Sequence, residues 1–252
     1  MTRIIAMTGK GGTGKTTISA LLIKYFLKKG STPILAVDAD SNINLNELLA
    51  MDVDLTIGKI RKDLKKEPPP NMTRDQYMEM MVHQSLVEAT GFDLLAMGHP
   101  DGPGCYCAAN QYLAMTIDRL GGNYKNILVD NEAGMEHMSR MNLRKIDVLL
   151  VISDPSSRGI LTAGRISDLT EPLGLDIGKK YLIINRAPDP VPPELTSKIE
   201  EAAAASDLPL AGILPASDEL VTRELSGESY LELADDVPFI RKAFKVFDKV
   251  FA

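Results

Sequence analysis

The chain has 252 residues, 28 basic against 34 acidic, for a formal net charge of −6, which disfavours a continuous nucleic-acid-binding face and leaves room only for a local basic patch. No uninterrupted apolar run approaches the ~18 residues that a membrane span needs. The N-terminus enters an apolar run within three residues, too soon for a signal peptide, so the expected location is cytoplasmic. The length suits one large α/β domain with a full core, and no linker-like stretch argues for two. The expectation is a single domain over residues 1–252 with a helical insertion at about 54–90.

In chain order, Ile4-Ile5-Ala6-Met7 reads as a buried strand and Ile18 to Ile23 has helical spacing. Between them, Gly9 to Thr17 reads Gly-Lys-Gly-Gly-Thr-Gly-Lys-Thr-Thr. It fits the phosphate-binding pattern G-x-x-x-x-G-K-[ST] in the strand-loop-helix context that the pattern requires. Gly9, Gly11, Gly12 and Gly14 remove side chains, so that consecutive backbone N–H groups can turn toward one anion at the positive end of the following helix. Lys15 would reach the β- and γ-phosphates and the Thr16 hydroxyl would hold Mg²⁺; Thr13 and Thr17 complete the candidate nucleotide-binding stretch. Lys10 is not needed by an ordinary phosphate loop, and its charge is free to leave its own loop.

The first helix ends near Lys28-Lys29-Gly30, with a basic last turn and a glycine stop. Pro33 to Asp38 is a short buried-type strand that delivers Asp38 and Asp40 at its C-terminal end. Ligands of open parallel sheets sit outside those ends, so both carboxylates should arrive beside the phosphate loop; a surface Asx turn is the alternative. Leu55 to about Glu67 is a charged amphipathic helix stopped by Pro68-Pro69-Pro70, and a second helix follows from Thr73. This insertion carries no recognisable chemistry and is a place for partner specificity. Met72, Met78, Met80, Met81 and Met97 read as gap-filling core in preference to soft-metal ligands.

Phe92 to Met97 is the next strand, followed by a glycine- and proline-rich loop ending in Cys105-Tyr106-Cys107 and a helix from about Ala108 to Leu120. Two thiolates one residue apart can bind one metal ion, yet a closed zinc site wants four ligands. A two-fold dimer with its axis near this loop would supply two Cys105-Cys107 pairs, a tetrahedral site for zinc or for a thiophilic divalent ion such as nickel. A redox pair and unreactive thiols are the alternatives. Further strands are expected at Asn126–Asp130, before Ser153, at Lys180–Arg186 and from Leu210, with helices opening at Pro155 or Ser156 and capped by Ser217 or Asp218. This alternation gives the fold class: α/β, a single doubly wound, mostly parallel sheet with helices on both faces. The C-terminal stripe Ile240, Ala243, Phe244, Phe247, Val250 and Phe251 is expected to dock on that sheet, with a membrane-surface helix as the alternative.

Lys10 to Thr17 resembles the signature K-G-G-x-G-K-[ST]-T of the deviant Walker-A ATPases, the P-loop group of the nitrogenase iron protein and the MinD, ParA and ArsA types. The resemblance implies a Mg-dependent homodimeric ATPase that converts ATP to ADP and phosphate, with Lys10 crossing the interface to the partner's ATP. Asp38 to Leu45 resembles the first switch, D-x-D-x-N-x-N-L, which assigns Asp40 to orienting the attacking water and Asp38 to the Mg²⁺ neighbourhood. The phrase Gly-Pro-Gly-Cys-Tyr-Cys-Ala-Ala-Asn, with Asn126 to Gly134 and Val151 to Gly159, resembles the CooC-type accessory ATPases that mature nickel-dependent carbon monoxide dehydrogenase and acetyl-CoA synthase. From that resemblance Asp130 would hold the Mg²⁺ shell and the Gly134 amide would face the γ-phosphate. Tyr106 stands where other members often carry proline, which loosens the loop. Asn185, followed by Arg186, stands where MinD-like relatives read adenine, a plain polar cap being the alternative, and Leu210 to Asp218, with Pro215, resembles the adenosine-side loop. The implied function is nickel insertion into carbon monoxide dehydrogenase or acetyl-CoA synthase, with Zn²⁺ or Ni²⁺ at Cys105 and Cys107 and no nucleic-acid or membrane partner. A MinD/ParA-type positioning ATPase acting on membrane or DNA is the alternative.

Overall fold

A computed structural model describes residues 2–63, 67–99, 106–134 and 145–251. The chain runs β1 (Arg3–Gly9), α1 (Lys15–Lys28), β2 (Ile34–Asp38), α2 (Leu45–Leu49), α3 (Ile57–Asp63), α4 (Arg74–Gln84), β3 (Leu86–Ala89), β4 (Phe92–Ala96), α5 (Tyr106–Leu120) and β5 (Asn126–Asp130). It continues through β6 (Lys145–Ser153), α6 (Ser157–Leu169), β7 (Asp176–Ala187), α7 (Pro193–Ala205), β8 (Leu210–Pro215), α8 (Asp218–Ser226) and α9 (Pro238–Phe251). The strands form one eight-stranded sheet in the order β3-β4-β2-β5-β1-β6-β7-β8. Among the described residues only the β3–β4 pair is antiparallel, and the α/β class read from the alternation of elements is the one observed.

Helices cover both faces, which is why the central strands are apolar at nearly every position. Ile5 and Met7 of β1 join the core under α1, α2 and α9, while the intervening Ala6 joins the core under α3 to α7. The same alternation holds in β2, where Ile34 and Ala36 face one layer and Leu35 and Val37 the other. Parallel pairing then aligns the strand ends. Met7 and Asp38 are both in register with Asp130, so the loop after β1 and the carboxylates ending β2 and β5 emerge together. The chain reaches β2 on one side of β1 and β6 on the other, and this is the switch point at which open sheets bind ligands.

Between β2 and β4, α3 lies within the expected amphipathic stretch, and α4 begins with a capping box in which Thr73 and Gln76 exchange hydrogen bonds. The insertion also contributes the antiparallel β3, which the sequence pattern did not reveal because four residues are too few to establish an alternation. Helix α5 starts at Tyr106, two residues before its expected start, and buries Ala109, Leu113 and Ile117 against the sheet.

Helix α9 docks as expected. Phe247 is wholly buried, with its ring 5.5 Å from Tyr25, and Phe251 packs at 5.1 Å on Phe26. Close approach depends on Gly212 of β8, where a Cβ would lie 2.5 Å from Val246. Its basic residues are partly spent on the protein itself, Lys242 pairing with Asp189 at 2.6 Å and Lys249 Nζ donating to the Ala211 carbonyl at 3.3 Å. No helix among the described residues is long and apolar enough to cross a membrane. Truncation of Phe247 to Ala should cost about 3–5 kcal/mol in urea denaturation. Leu225→Ala, at a side chain 85% exposed, should cost about 0.5 kcal/mol or less. Equal effects would contradict α9 as part of the core.

Candidate functional site

The loop between β1 and α1 is shaped by what surrounds it. At Gly9, φ is 148° and a Cβ would collide with the Ile152 carbonyl of β6, so no side chain fits where the strand leaves the sheet. At Gly14, φ is 90° and a Cβ would collide with the Asn185 amide. The loop carbonyls are tied down. Lys10 O accepts from Thr13 Oγ1 at 2.9 Å and from Lys15 Nζ at 3.3 Å, Thr13 O from Asn185 Nδ2 at 3.0 Å, and Gly12 O from Arg186 at 2.9 Å. The amides of Gly11, Gly12 and Gly14 find no acceptor among the described residues, and no side chain caps α1. An anion is the partner that such a row of amides at a helix N-terminus lacks.

Asn185 and Arg186 reach the loop because β7 carries one extra residue between Ile184 and Ala187 relative to β8. Arg186 sits at φ 60°, a conformation uncommon outside glycine. Asn185 is buried, and its amide nitrogen is committed to the phosphate loop. Pro215 ends β8 in register with Ala187 and does not line the cleft described below.

Asp38 is buried and spends both oxygens on the first switch. Oδ1 accepts from the Asp40 amide at 3.0 Å, and Oδ2 from Asn44 and Leu45 at 2.8 and 2.9 Å. It therefore anchors the segment that carries Asp40. Burial raises its pKa, and those three backbone hydrogen bonds oppose the shift. Asp130 differs: its Oδ1 is buried without a partner among the described residues. Burial, reinforced by the neighbouring Asp38 charge, pushes its pKa up to about 7, against the pull of the Thr16 hydroxyl and Lys15. An unsatisfied carboxylate oxygen beside a hydroxyl is an oxygen donor set that suits Mg²⁺, so the residues fit that cation. The Gly134 amide, at φ 91°, donates to the Gly9 carbonyl at 3.1 Å; here it is held by the phosphate loop instead of facing an open γ-phosphate position.

Gly11, Gly12 and the residues from Gly14 to Thr17 line one cleft of about 410 Å³ together with Asp40, Asn131 and Arg186, while the buried Asp38 and Asp130 lie beneath its surface. Lys15 is nearly buried, and desolvation lowers its pKa against the raising effect of Asp130, Asp40 and Glu132. Lys10 is exposed, and its ammonium has no partner among the described residues. Glu47, Glu132 and Glu224 also line the cleft and were not singled out from the sequence. Glu132 lies inside the second-switch phrase, whereas Glu224, on α8, gave no local signal. With four carboxylates against Lys15 and Arg186, the walls favour a polyanion only when a cation accompanies it. The candidate Cys105-Cys107 site lies outside the described residues, apart from the place of Cys107 in the first turn of α5. Among the described residues no group of three or more His, Cys, Asp or Glu side chains is placed to hold a metal ion.

Comparison with known proteins agrees with this geometry. The CobQ/CobB/MinD/ParA nucleotide-binding domain matches residues 4–230. An uncharacterized ATP-binding protein of Methanocaldococcus jannaschii is 39% identical over 252 aligned residues, covering 98% of each chain. The carbon monoxide dehydrogenase accessory protein CooC of Rhodospirillum rubrum is 29% identical over 185 residues, 68% of this chain and 70% of that protein. The solved structure of MinD from Pyrococcus horikoshii, complexed with Mg-ADP, superimposes with a TM-score of 0.73 over 100% of this chain and 96% of that one, at 22% identity, a likeness of fold. With its phosphate loop, its sheet order and its matched span in agreement, the chain belongs to the CobQ/CobB/MinD/ParA family of nucleotide-binding domains.

Proposed function

We infer that the protein hydrolyses Mg-ATP in this cleft and uses the cycle, as a homodimer, to assist nickel insertion into a carbon monoxide dehydrogenase or acetyl-CoA synthase. The observation that carries the nucleotide part is the meeting of unpartnered loop amides and Lys15 in one strand-end crevice, with the unpartnered Asp130 oxygen close enough to Lys15 for their charges to interact. The nickel part rests on the Cys105-Tyr106-Cys107 phrase and on the CooC relative.

In this reading the loop amides and Lys15 bind the β- and γ-phosphates, with Thr16 and Asp130 holding Mg²⁺ and Asp38 keeping the first switch in place beside it. When bound there, Mg²⁺ would neutralise charge on the phosphate oxygens. Asp40, placed on the cleft wall by the Asp38 anchor, orients the attacking water. The Gly134 amide exchanges the Gly9 carbonyl for the γ-phosphate, which couples the second switch to ATP. Asn185 and Arg186 border the base, Asn185 reading it with the groups that its loop hydrogen bond leaves unspent, and Pro215 backs that side. Lys10 reaches the partner's ATP, and closing the dimer aligns two Cys105-Cys107 pairs around the ion, which is cargo. A positioning ATPase acting on membrane or DNA shares the fold, but it gives the cysteines no purpose, and the apolar stripe of α9 is already buried in its own core.

Anaerobic metal analysis with nickel and with zinc tests the cargo. One ion per dimer is expected for the wild type and none for the Cys105→Ser, Cys107→Ser variant; a stoichiometry that ignores the cysteines sinks the metal-transfer reading. Asp130 gives a test by pH. Its folded pKa of about 7 lies above the ordinary carboxylate value of 3.8, so between those values the nucleotide-free fold keeps a proton that the unfolded chain has released. Stability should therefore be lost as pH rises through that window, by a few kcal/mol at most. In urea denaturation at pH 5 and pH 8, Asp130→Asn should gain on the wild type at the higher pH. A difference between the two that does not change with pH would contradict the assignment.

A further inference from the structure

Asn131 follows Asp130, is 2% exposed, and lines the cleft beside Lys15 and Thr16. Its amide is fixed in one orientation. Nδ2 donates to the Met7 carbonyl at 2.8 Å and more weakly to the Val129 carbonyl at 3.4 Å. Both partners are acceptors, so turning the amide over would set oxygen against oxygen. Oδ1 is thereby left on the other side, buried and without a hydrogen-bond partner among the described residues. A buried acceptor in that condition has lost water and gained nothing, and native folds rarely tolerate it without an occupant. The adjacent Asp130 Oδ1 is in the same condition.

We propose that Asn131 Oδ1 accepts a hydrogen bond from a water in the shell of the cation held by Asp130, which makes Asn131 a positioning residue for the metal. This rests on reading the cleft as a Mg-nucleotide site. Mg²⁺ gives up its waters reluctantly and keeps several of them in such sites. A metal-bound water is polarised toward donation, and a donor is what this oxygen lacks. A neutral amide suits the position, because a third buried carboxylate beside Asp38 and Asp130 would add repulsion with no cation to spare for it. The Nδ2 bond to Met7 ties the acceptor to β1, two residues before Gly9, so the water shell is positioned against the strand that carries the phosphate loop.

The test separates metal-dependent from metal-independent nucleotide binding. Mn²⁺, followed by the resonance of the free ion, is titrated in the presence of ADP into wild type, Asp130→Asn and Asn131→Leu, and ADP affinity is measured in EDTA by calorimetry. Asn131→Leu is expected to weaken Mn²⁺ binding about tenfold or more, as removal of an outer-shell partner does, while ADP affinity in EDTA stays near wild type; the unfolding midpoint falls modestly, because Leu also removes the Nδ2 bond to the buried Met7 carbonyl. Wild-type Mn²⁺ affinity in Asn131→Leu overturns the proposal and leaves the Mg-nucleotide reading standing if Asp130→Asn loses the ion. Equal losses with Mn²⁺ and in EDTA also overturn it, since they mark an amide that only supports the fold. If Asn131→Leu does not fold, Asn131→Ala is read against the same outcomes. A wild type whose ADP affinity ignores Mn²⁺ ends the Mg-nucleotide reading and this proposal with it.

Discussion

Two buried carboxylates at the ends of adjacent parallel strands, Asp38 and Asp130, set the terms for the rest of the site. The β2–β5 register places them side by side, and burial raises the pKa of both. The fold resolves this conflict in two ways. Asp38 is satisfied internally by three backbone amides and becomes the anchor of the first switch. Asp130 is left with a bare oxygen beside Thr16 and Lys15 and so demands either a proton or a cation. One carboxylate serves the protein and the other is kept for a ligand.

The phosphate loop is held by the same logic. Its carbonyls are taken by Thr13, Lys15, Asn185 and Arg186, which turns the loop into a preformed row of donors with no acceptor of its own. Asn185 and Arg186 come from β7, two strands away from β1, and Asn131 and Gly134 from the segment that follows β5 on the other side. Both halves of the sheet are therefore fastened to β1 and its loop. On the proposed reading, filling the loop with ATP is felt at the second switch through Gly134. If ATP and the thiolate-bound ion favour the same closed dimer, each tightens the other by an equal factor.

Much of this was legible in the sequence because it is local. Gly9 to Thr17 specifies a loop by itself, the apolar runs of β1, β2 and β5 announce a two-sided sheet, and Ser217 signals the start of α8. What escaped was set by tertiary contacts. The short β3 had no pattern to show. Asn185 looked like a base reader at a strand end, yet the bulge in β7 also turns its amide into a brace for Thr13. The hydrogen bond from the Gly134 amide to the Gly9 carbonyl, which joins the second switch to the phosphate loop, had no local signal either. Asn131 lies inside the Asn126 to Gly134 phrase but was given no role there, and Glu224 carries no motif; the exit of the chain from β5 and the packing of α8 bring them to the cleft.

On the proposed reading one loop does two jobs, Lys15 holding phosphate within its own chain and the exposed Lys10 closing a dimer on the partner's ATP. Sedimentation of Lys10→Ala with a non-hydrolysable ATP analogue tests this most directly. The variant is expected to bind the analogue with wild-type affinity yet stay monomeric, whereas the wild type dimerises. Analogue-dependent dimerisation that survives the loss of Lys10 would contradict it.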